Sequence, residues 1–212
     1  MFNNQQIKLI AFDLDGVLVD GRGSWQEVHN GLGTSELSEI HAQEFYSGKI
    51  SFDEWAEKDA KLWYGIEIKK IKEILNKTKL MKGASETIKE LKERGYKLVI
   101  ISGGLKILAD RLKETFGFDY ATANELLVRK GKVCGMKHII DMEGKGTALE
   151  KIARDNKIEG GECAAIGDFT NDIPMFEFAG FSIAFNPKDE NLVKIADEVI
   201  YEKDLRKILR FF

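Results

Sequence analysis

A short apolar segment, Ile7 to Phe12, followed at once by two aspartates one residue apart, constrains the fold more than any other stretch. The segment is too short for an ordinary helix and is rich in branched and aromatic side chains, so it predicts a buried β-strand. If the extended backbone continues, Asp13 and Asp15 point the same way. Converging carboxylates repel each other unless a cation lies between them, and Mg²⁺ is the expected cation. A solvated turn or part of a calcium loop is the alternative for this stretch alone.

The composition is that of an ordinary soluble protein. The chain has 212 residues, of which 43% are hydrophobic and 32% charged, and its net charge of -3 gives no reason to expect a nucleic-acid partner. It has no apolar run of membrane-spanning length, and residues 1–6 do not resemble a signal peptide, so we expect a cytoplasmic protein. Cys134 and Cys163 are expected to be free thiols. The spacing of His29, His41 and His138 does not predict a zinc site.

Residues 17–82 differ in character from the rest of the chain. They contain all three tryptophans, and their apolar residues are spaced as in amphipathic helices. Ser51, with Glu54 three residues later, predicts a capping box at the start of one helix. We therefore expect residues 17–82 to form a small helical cap domain, inserted after the first strand. Aromatic residues at helical spacing usually form a core, so we assign no ligand role to the tryptophans.

From residue 83 onward, predicted helices alternate with short apolar strands. Strands are expected at Tyr96 to Ile101, Cys163 to Ile166, Phe181 to Phe185 and Glu198 to Tyr201. Arg129 to Lys132 predicts a hairpin turn. This alternation predicts a parallel sheet covered by helices on both faces. The predicted fold class is α/β, with a Rossmann-like three-layer core formed by residues 1–16 and 83–212 and the helical cap attached to it.

Four polar residues follow directly after three of the predicted strands. Asp13 and Asp15 follow the first strand, Ser102 the second and Asp168 the third. Ligands of parallel α/β sheets bind beyond the carboxyl ends of the strands, so these side chains should converge on one crevice. Ser102 is followed by two glycines and a predicted helix, and its hydroxyl and the N–H groups of that helix start predict an anion site. An ordinary capped turn is the alternative.

Two further stretches add charge to the expected crevice. Lys145 lies just before a predicted helix, where a lysine does not favour the helix dipole, so we expect a negative partner rather than simple solvation. The loop after the third strand carries Asn171 and Asp172 besides Asp168. An ammonium, anion-binding N–H groups and a carboxylate-bound cation at one place describe a phosphate pocket. A carboxylate there can attack phosphorus and form an aspartyl-phosphate, while a second carboxylate transfers protons.

These stretches resemble the four motifs of the haloacid dehalogenase superfamily of phosphohydrolases, in the same order along the chain. They are Asp13 to Val17, Ser102 to Gly104, Lys145, and Gly167 to Met175. The glycines around Lys145, the hairpin at Gly131 and the C-terminal segment also resemble the phosphoserine phosphatase branch. By this resemblance the protein is a phosphomonoester hydrolase that acts on a small phosphorylated metabolite with Mg²⁺ as cofactor.

The resemblance implies a role for each acidic motif residue. Asp13 is the nucleophile and a metal ligand, and Asp15 is the general acid and base and gives its backbone carbonyl to the metal. Asp168 binds Mg²⁺, and Asp172 supports the ligands of the metal.

The resemblance also implies the groups that bind phosphate. The Ser102 hydroxyl and the Gly103 N–H hold the phosphoryl oxygens. Lys145 offsets the charge of the nucleophile and the phosphate, and Asn171 helps to position the phosphate.

Two cap positions depart from the phosphoserine phosphatase branch and are candidate specificity residues. Arg22 stands where that branch carries a glutamate for the substrate ammonium, and Asp59 stands where it carries an arginine for the substrate carboxylate. A shift of a few residues would instead bring Glu27 or Lys58 into register. If the inversion is real, both charges oppose phosphoserine in its usual orientation. Arg22 then contacts an acidic substrate tail or is an ordinary surface arginine.

The substrate therefore stays open at this point between phosphoserine and a phosphosugar, phosphoglycolate or nucleotide. A phosphomutase or a non-catalytic binding protein on the same fold is a weaker alternative. We expect a monomer or homodimer with neither a nucleic-acid nor a membrane partner.

Overall fold

A single seven-stranded sheet forms the centre of the protein. The computed structural model describes residues 7–212, so the N-terminal segment expected to lack a signal peptide lies outside the described residues. The strand order is β4-β3-β2-β1-β5-β6-β7, and neighbours are parallel except β3 and β4. The strands are β1 Leu9–Phe12, β2 Lys97–Leu105, β3 Tyr120–Arg129, β4 Lys132–Lys137, β5 Cys163–Gly167, β6 Phe181–Phe185 and β7 Glu198–Ile200.

The first strand lies in the middle of the sheet, as its uninterrupted apolar sequence requires. All four residues of β1 are buried, and β1 pairs with β2 on one side and β5 on the other. The register sets Phe12 beside Ile100 and Ile166. Since all three strands run in parallel, the residues that follow these positions emerge at the same edge of the sheet.

Nine α-helices of the described chain cover the sheet or form the insertion. They are α1 Ser24–Leu32, α2 Ser35–Tyr46, α3 Phe52–Lys61, α4 Ile68–Leu75, α5 Ala84–Glu93, α6 Lys106–Phe116, α7 Gly144–Asp155, α8 Ile173–Phe178 and α9 Glu190–Ile195. We call α1 to α4 the helical insertion, because they lie between β1 and the helix that leads into β2.

Alternate side chains of the central strand, β1, pack into two separate hydrophobic cores. Ile10 and Phe12 belong to the core that includes residues of α5 and α6, whereas Leu9 and Ala11 belong to the core that includes residues of α7 and α8. This is the alternation that a strand covered on both faces must show. The predicted α/β class with a three-layer core is confirmed.

The helical insertion has an aromatic interior. Trp63 is fully buried, and its ring stacks on Trp25 with the centroids 5.1 Å apart. The predicted capping box is present at the start of α3, where Ser51 and Glu54 each accept a hydrogen bond from the other's backbone N–H. The division into a cap of residues 17–82 and a core stays a prediction.

The edge hairpin forms as the sequence predicts. Its turn residues, Lys130 and Gly131, both have positive φ, 50° and 78°, which is the geometry of a two-residue hairpin turn. The hairpin also touches the insertion, because the Ile68 N–H donates to the Gly131 carbonyl at 2.9 Å. None of the helices in the described part of the chain is long and apolar enough to cross a membrane.

We expect Gly131→Ala to lower the free energy of unfolding by about 1 kcal/mol, measured by urea denaturation. The substituted methyl group meets no atom within 4 Å, so the cost comes from the left-handed backbone alone. Gly161→Ala is the matched control, since Gly161 is also open to solvent but has no positive φ. A larger loss in the control than in Gly131→Ala would contradict this account of the hairpin.

Candidate active site

The predicted motif residues converge at the carboxyl edge of the sheet. A cavity of about 440 Å³ lies between this edge and the helical insertion. Six of the eight predicted motif residues line it: Asp13, Asp15, Ser102, Gly103, Asp168 and Asn171. The remaining two motif residues, Lys145 and Asp172, do not line the cavity; Lys145 bonds Asp13 at its wall, and Asp172 bonds Lys145.

A fully buried ammonium holds the candidate nucleophile in place. Lys145 Nζ donates to Asp13 Oδ1 at 2.8 Å and to Asp172 Oδ1 at 2.5 Å. Burial by itself would lower the pKa of Lys145, but the charges of the two carboxylates outweigh burial and raise it well above its usual range. Lys145 lies in the first turn of α7, so the helix delivers a permanent positive charge to the end of β1.

The Asp172 carboxylate organises the loop that follows β5. Its second oxygen accepts hydrogen bonds from the backbone N–H groups of Asp168 at 2.9 Å and Phe169 at 3.1 Å. Both oxygens of Asp172 are therefore engaged, one by the loop and one by Lys145. This leaves Asp13 and Asp168 with oxygens to offer to a cation, and their role as metal ligands stays a prediction.

The acidic groups of the site fit a hard divalent cation. Oxygens of Asp13, Asp168 and Asp172 lie within 4.8 Å of one another, and all three residues are buried. Burial and the charge of Asp13 raise the pKa of Asp168 to about 7, although Lys188 lies 2.6 Å away, and burial likewise raises the pKa of Asp172. Crowded carboxylate oxygens with such raised pKa values are the environment that a bound cation would stabilise.

The second aspartate of the motif is held separately from this cluster. Asp15 accepts hydrogen bonds from the backbone N–H of Ser24 at 2.9 Å and from its hydroxyl at 2.8 Å. Burial, and then the charge of Asp13, raise the pKa of Asp15 to about 6. A carboxyl group with this pKa can exchange a proton near neutral pH. The contact of the Asp15 backbone carbonyl with the metal stays a prediction.

The strand that carries the second motif is longer than the sequence predicted. β2 continues through Ser102 and both glycines, and α6 begins only at Lys106. The Gly104 N–H donates to Ser102 Oγ at 3.0 Å, and the Leu105 N–H donates to Ser24 Oγ at 2.9 Å. These two N–H groups, which the sequence assigned to an anion site, are therefore already paired. Ser102, Gly103 and Asn171 line the cavity, and their role as phosphate ligands stays a prediction.

Both candidate specificity residues line the same cavity. Arg22 is exposed, whereas Asp59 is buried. Asp59 Oδ1 lies 2.6 Å from His41 Nδ1, and Asp59 Oδ2 lies 3.3 Å from His29 Nε2. The hydroxyl of Ser38 lies 3.5 Å from Asp59 Oδ2. Glu27 and Lys58, the two alternatives from a shifted register, are not among the described residues that line the cavity.

Sequence reasoning missed several groups of this site. The sequence did not predict Ser24, Lys188 or the partners of Asp59, because each is a single polar residue in a helix or loop that carries no motif. His29, His41 and Asp59 lie on three different helices of the insertion and meet only through helix packing. Their spacing in sequence could not have predicted this cluster.

Comparisons with known proteins agree with this geometry. A family model described as haloacid dehalogenase-like hydrolase matches residues 7–180. The phosphoserine phosphatase of Methanocaldococcus jannaschii is 38% identical over 206 residues, which are 96% of this chain and 97% of that protein. The phosphoserine phosphatase of Wolinella succinogenes is 35% identical over 205 residues, 96% of this chain and 98% of that protein.

Solved structures show the same likeness. One described as a phospho-aspartyl intermediate analogue of phosphoserine phosphatase has a TM-score of 0.87 at 38% identity and covers 98% of this chain and 99% of its own. This chain belongs to the haloacid dehalogenase-like hydrolases, and the prediction of a phosphatase of that family is confirmed. Within the family it is similar, along nearly its whole length, to phosphoserine phosphatases.

We expect Lys145→Met to lower the free energy of unfolding by about 3–5 kcal/mol near pH 8 in the presence of EDTA, because buried carboxylates lose their ammonium partner. Near pH 5 the loss should be smaller. The folded-state pKa of Asp168 is about 7 against an ordinary 3.8, so lowering the pH protonates the folded protein before the unfolded chain and favours folding. In the wild type the Lys145 charge lowers the pKa of Asp172. The variant lacks this charge, so its folded state takes up more protons as the pH falls.

The control for this prediction is Lys106→Met. Lys106 lies 2.6 Å from Asp110 in a partly exposed pair one helical turn apart, and such a pair contributes less than about 1 kcal/mol. Urea denaturation of both variants near pH 8 and near pH 5 is the measurement. Equal losses in the two variants would show that the buried network does not stabilise the fold.

Proposed function

We propose that the protein hydrolyses a small phosphate monoester with Mg²⁺ through an aspartyl-phosphate on Asp13. The observation that carries this proposal is the buried Lys145 ammonium bonded to Asp13 at the edge of a three-carboxylate cluster. One oxygen of Asp13 is held by Lys145, which orients the carboxylate. The likeness to a solved structure described as a phospho-aspartyl intermediate analogue supports the same chemistry.

Asp13 and Asp168, with the backbone carbonyl of Asp15, are the residues that would hold Mg²⁺. When bound, the ion offsets the negative charge that the carboxylates and the phosphoryl group bring together. Asp172 acts by positioning, because it fixes the loop that carries Asp168 and shares Lys145 with Asp13.

In the first step an oxygen of Asp13 attacks phosphorus, and the bond between phosphorus and the leaving-group oxygen breaks. Asp15 gives its proton to that oxygen, so the leaving group departs as an alcohol. In the second step the Asp15 carboxylate takes a proton from water, whose oxygen attacks phosphorus. The bond from phosphorus to Asp13 then breaks, which releases inorganic phosphate and restores both aspartates.

The phosphoryl group is held by groups from three parts of the chain. Ser102 and Gly103 at the end of β2 and Asn171 in the loop after β5 bind its oxygens, while Lys145 compensates the added charge. We propose that residues 17–82 act as a cap that opens for substrate and excludes water when closed, because residues of the insertion form one wall of the cavity.

The relatives named phosphoserine phosphatase make phosphoserine the first substrate to test. The buried carboxylate of Asp59 in the cavity favours an ester of a different kind. Steady release of free phosphate would distinguish hydrolysis from a phosphomutase reaction, in which the aspartyl-phosphate is protected from water.

We expect Asp13→Asn to reduce turnover of p-nitrophenyl phosphate by roughly 1,000-fold or more, because an amide oxygen is a poor nucleophile. Asp20→Asn is the control, since Asp20 is exposed and pairs with Lys203 on the surface at 3.0 Å. The measurement is Mg²⁺-dependent release of p-nitrophenol by purified protein. Full activity in Asp13→Asn would refute the assignment of the nucleophile.

We also expect Asp168→Asn to weaken Mg²⁺ binding by about tenfold or more, because the ion would lose a charged ligand. Isothermal titration of Mg²⁺ into the variant, the wild type and the Asp20→Asn control measures this directly and without turnover. Unchanged affinity would remove Asp168 from the proposed metal ligands.

A further inference from the structure

The cavity has a second part, which the proposed phosphoryl chemistry does not use. Aromatic side chains of the helical insertion line it, among them Phe45, Phe52 and Trp55. The Phe45 and Trp55 rings stack with their centroids 4.8 Å apart, and Phe52 meets Trp55 edge-on at 6.1 Å. Packed rings of this kind present flat surfaces to the C–H groups of a ligand. The volume of about 440 Å³ lies within the range of small-molecule pockets.

Polar groups of the insertion line the cavity as well, and Asp59 lies one helical turn after Trp55 on α3. Asp59, Ser38 and His29 all line it, and all three residues are buried. His41 Nδ1, 2.6 Å from Asp59, donates to one carboxylate oxygen, and the Ser38 hydroxyl lies 3.5 Å from the other. The His29 ring is itself fixed by a 2.8 Å hydrogen bond between Nδ1 and Thr34 Oγ1. A buried carboxylate held from several sides is a preorganised recognition group.

This arrangement favours hydroxyl groups over a carboxylate. An ionised carboxylate has about four acceptor positions, so Asp59 keeps room for a donor from the ligand beside His41 at 2.6 Å, His29 at 3.3 Å and Ser38 at 3.5 Å. A hydroxyl group can donate to Asp59 and at the same time accept the Ser38 proton, which would then leave its 3.5 Å contact with Asp59. A carboxylate on the leaving group would instead bring a second negative charge against the buried Asp59.

A cationic leaving group is also disfavoured. Aromatic walls alone would suit a quaternary ammonium, which binds over ring faces. However, the donors of Ser38 and the imidazoles already face Asp59, so this carboxylate has partners without a cationic ligand. A primary ammonium can only donate hydrogen bonds and a quaternary ammonium can neither donate nor accept, so both gain less from this mixture of donors and acceptors than a hydroxyl group does.

We propose that the leaving group of the substrate is an uncharged polyhydroxylated one, as in a sugar or polyol phosphate, and that Asp59 with Ser38 determines this specificity. The proposal rests on the proposed phosphatase function and adds the substrate class. The aromatic side chains bind the C–H faces of the leaving group, while Asp59 and Ser38 bind its hydroxyls.

The test is a comparison of kcat/KM across phosphate esters with Mg²⁺. The panel contains a hexose 6-phosphate and glycerol 3-phosphate, phosphoserine, phosphoglycolate and phosphocholine, with p-nitrophenyl phosphate as the reference that carries no hydroxyl groups. In the wild type, kcat/KM for the better hydroxylated ester should exceed that for each charged ester by about tenfold or more, the effect of one well-formed hydrogen bond.

Two variants test whether Asp59 and Ser38 cause the preference for hydroxylated esters. Asp59→Asn should lower the ratio of hydroxylated-ester to aryl-ester kcat/KM by about tenfold, mainly through KM, since the lost interaction is with the leaving group. Ser38→Ala should lower the same ratio by a few fold and provides the test if Asp59→Asn does not fold. Glu57→Gln is the matched control on α3, because Glu57 does not line the cavity, and it should leave the ratio unchanged.

The outcomes separate the two proposals. If the wild type hydrolyses none of the esters, including the aryl ester, the proposed function fails. If it hydrolyses the aryl ester but prefers phosphoserine, phosphoglycolate or phosphocholine, the substrate class proposed here is overturned while the phosphatase function stands. An unchanged ratio in a folded Asp59→Asn variant would likewise overturn the role of Asp59.

Discussion

The ion network around Lys145 is the interaction on which the site depends. Burying a carboxylate without a partner costs several kcal/mol, and three carboxylates lie close together here. Lys145, which is fully buried, bonds Asp13 from a position 132 residues away in sequence and also bonds Asp172. The network therefore joins the end of β1, the start of α7 and the loop after β5. No one of these segments could present its charge in this place without the other two.

The parallel sheet explains why these segments meet. Both faces of β1 are covered by core residues, so polar groups can leave the strand only beyond its carboxyl end. The ladder extends to Asp13 itself, whose backbone N–H donates to the Ile166 carbonyl at 2.9 Å. Asp168 follows two residues later on the neighbouring strand. The positions of the acidic groups are thus consequences of strand register.

Sequence reasoning succeeded where local pattern and strand topology are sufficient. Central placement of β1 follows from its apolar run, and convergence of Asp13, Ser102 and Asp168 follows from the rule for strand ends. The capping box of α3 and the hairpin turn at Lys130 are also local signals. Lys145 was weak by itself, because a single lysine before a helix has no pattern that distinguishes it from a solvated one.

The same reasoning could not reach contacts made by helix packing. The partners of Asp59 come from α1 and α2, and the turn that contains Ser24 meets Asp15 through a bend of the chain that no periodicity predicts. β2 is longer than predicted for the same reason. The Leu105 N–H donates to Ser24 Oγ, so Leu105 lies in the strand and not at the start of α6. Each of these features depends on where the insertion lies on the core.

The bonding pattern divides the cavity into two independent parts. Asp13 is held by Lys145 and by the sheet, whereas the partners of Asp59, which are His29, Ser38 and His41, all belong to the helical insertion. A change at Asp59 therefore leaves the carboxylate cluster intact, and a change of leaving group need not disturb the attack on phosphorus. The first turn of α1 is where the two parts meet, since Ser24 bonds Asp15 and Trp25 donates to the Gly103 carbonyl at 3.1 Å. The four motif stretches can in this way stay unchanged while the insertion determines which side chains line the rest of the cavity.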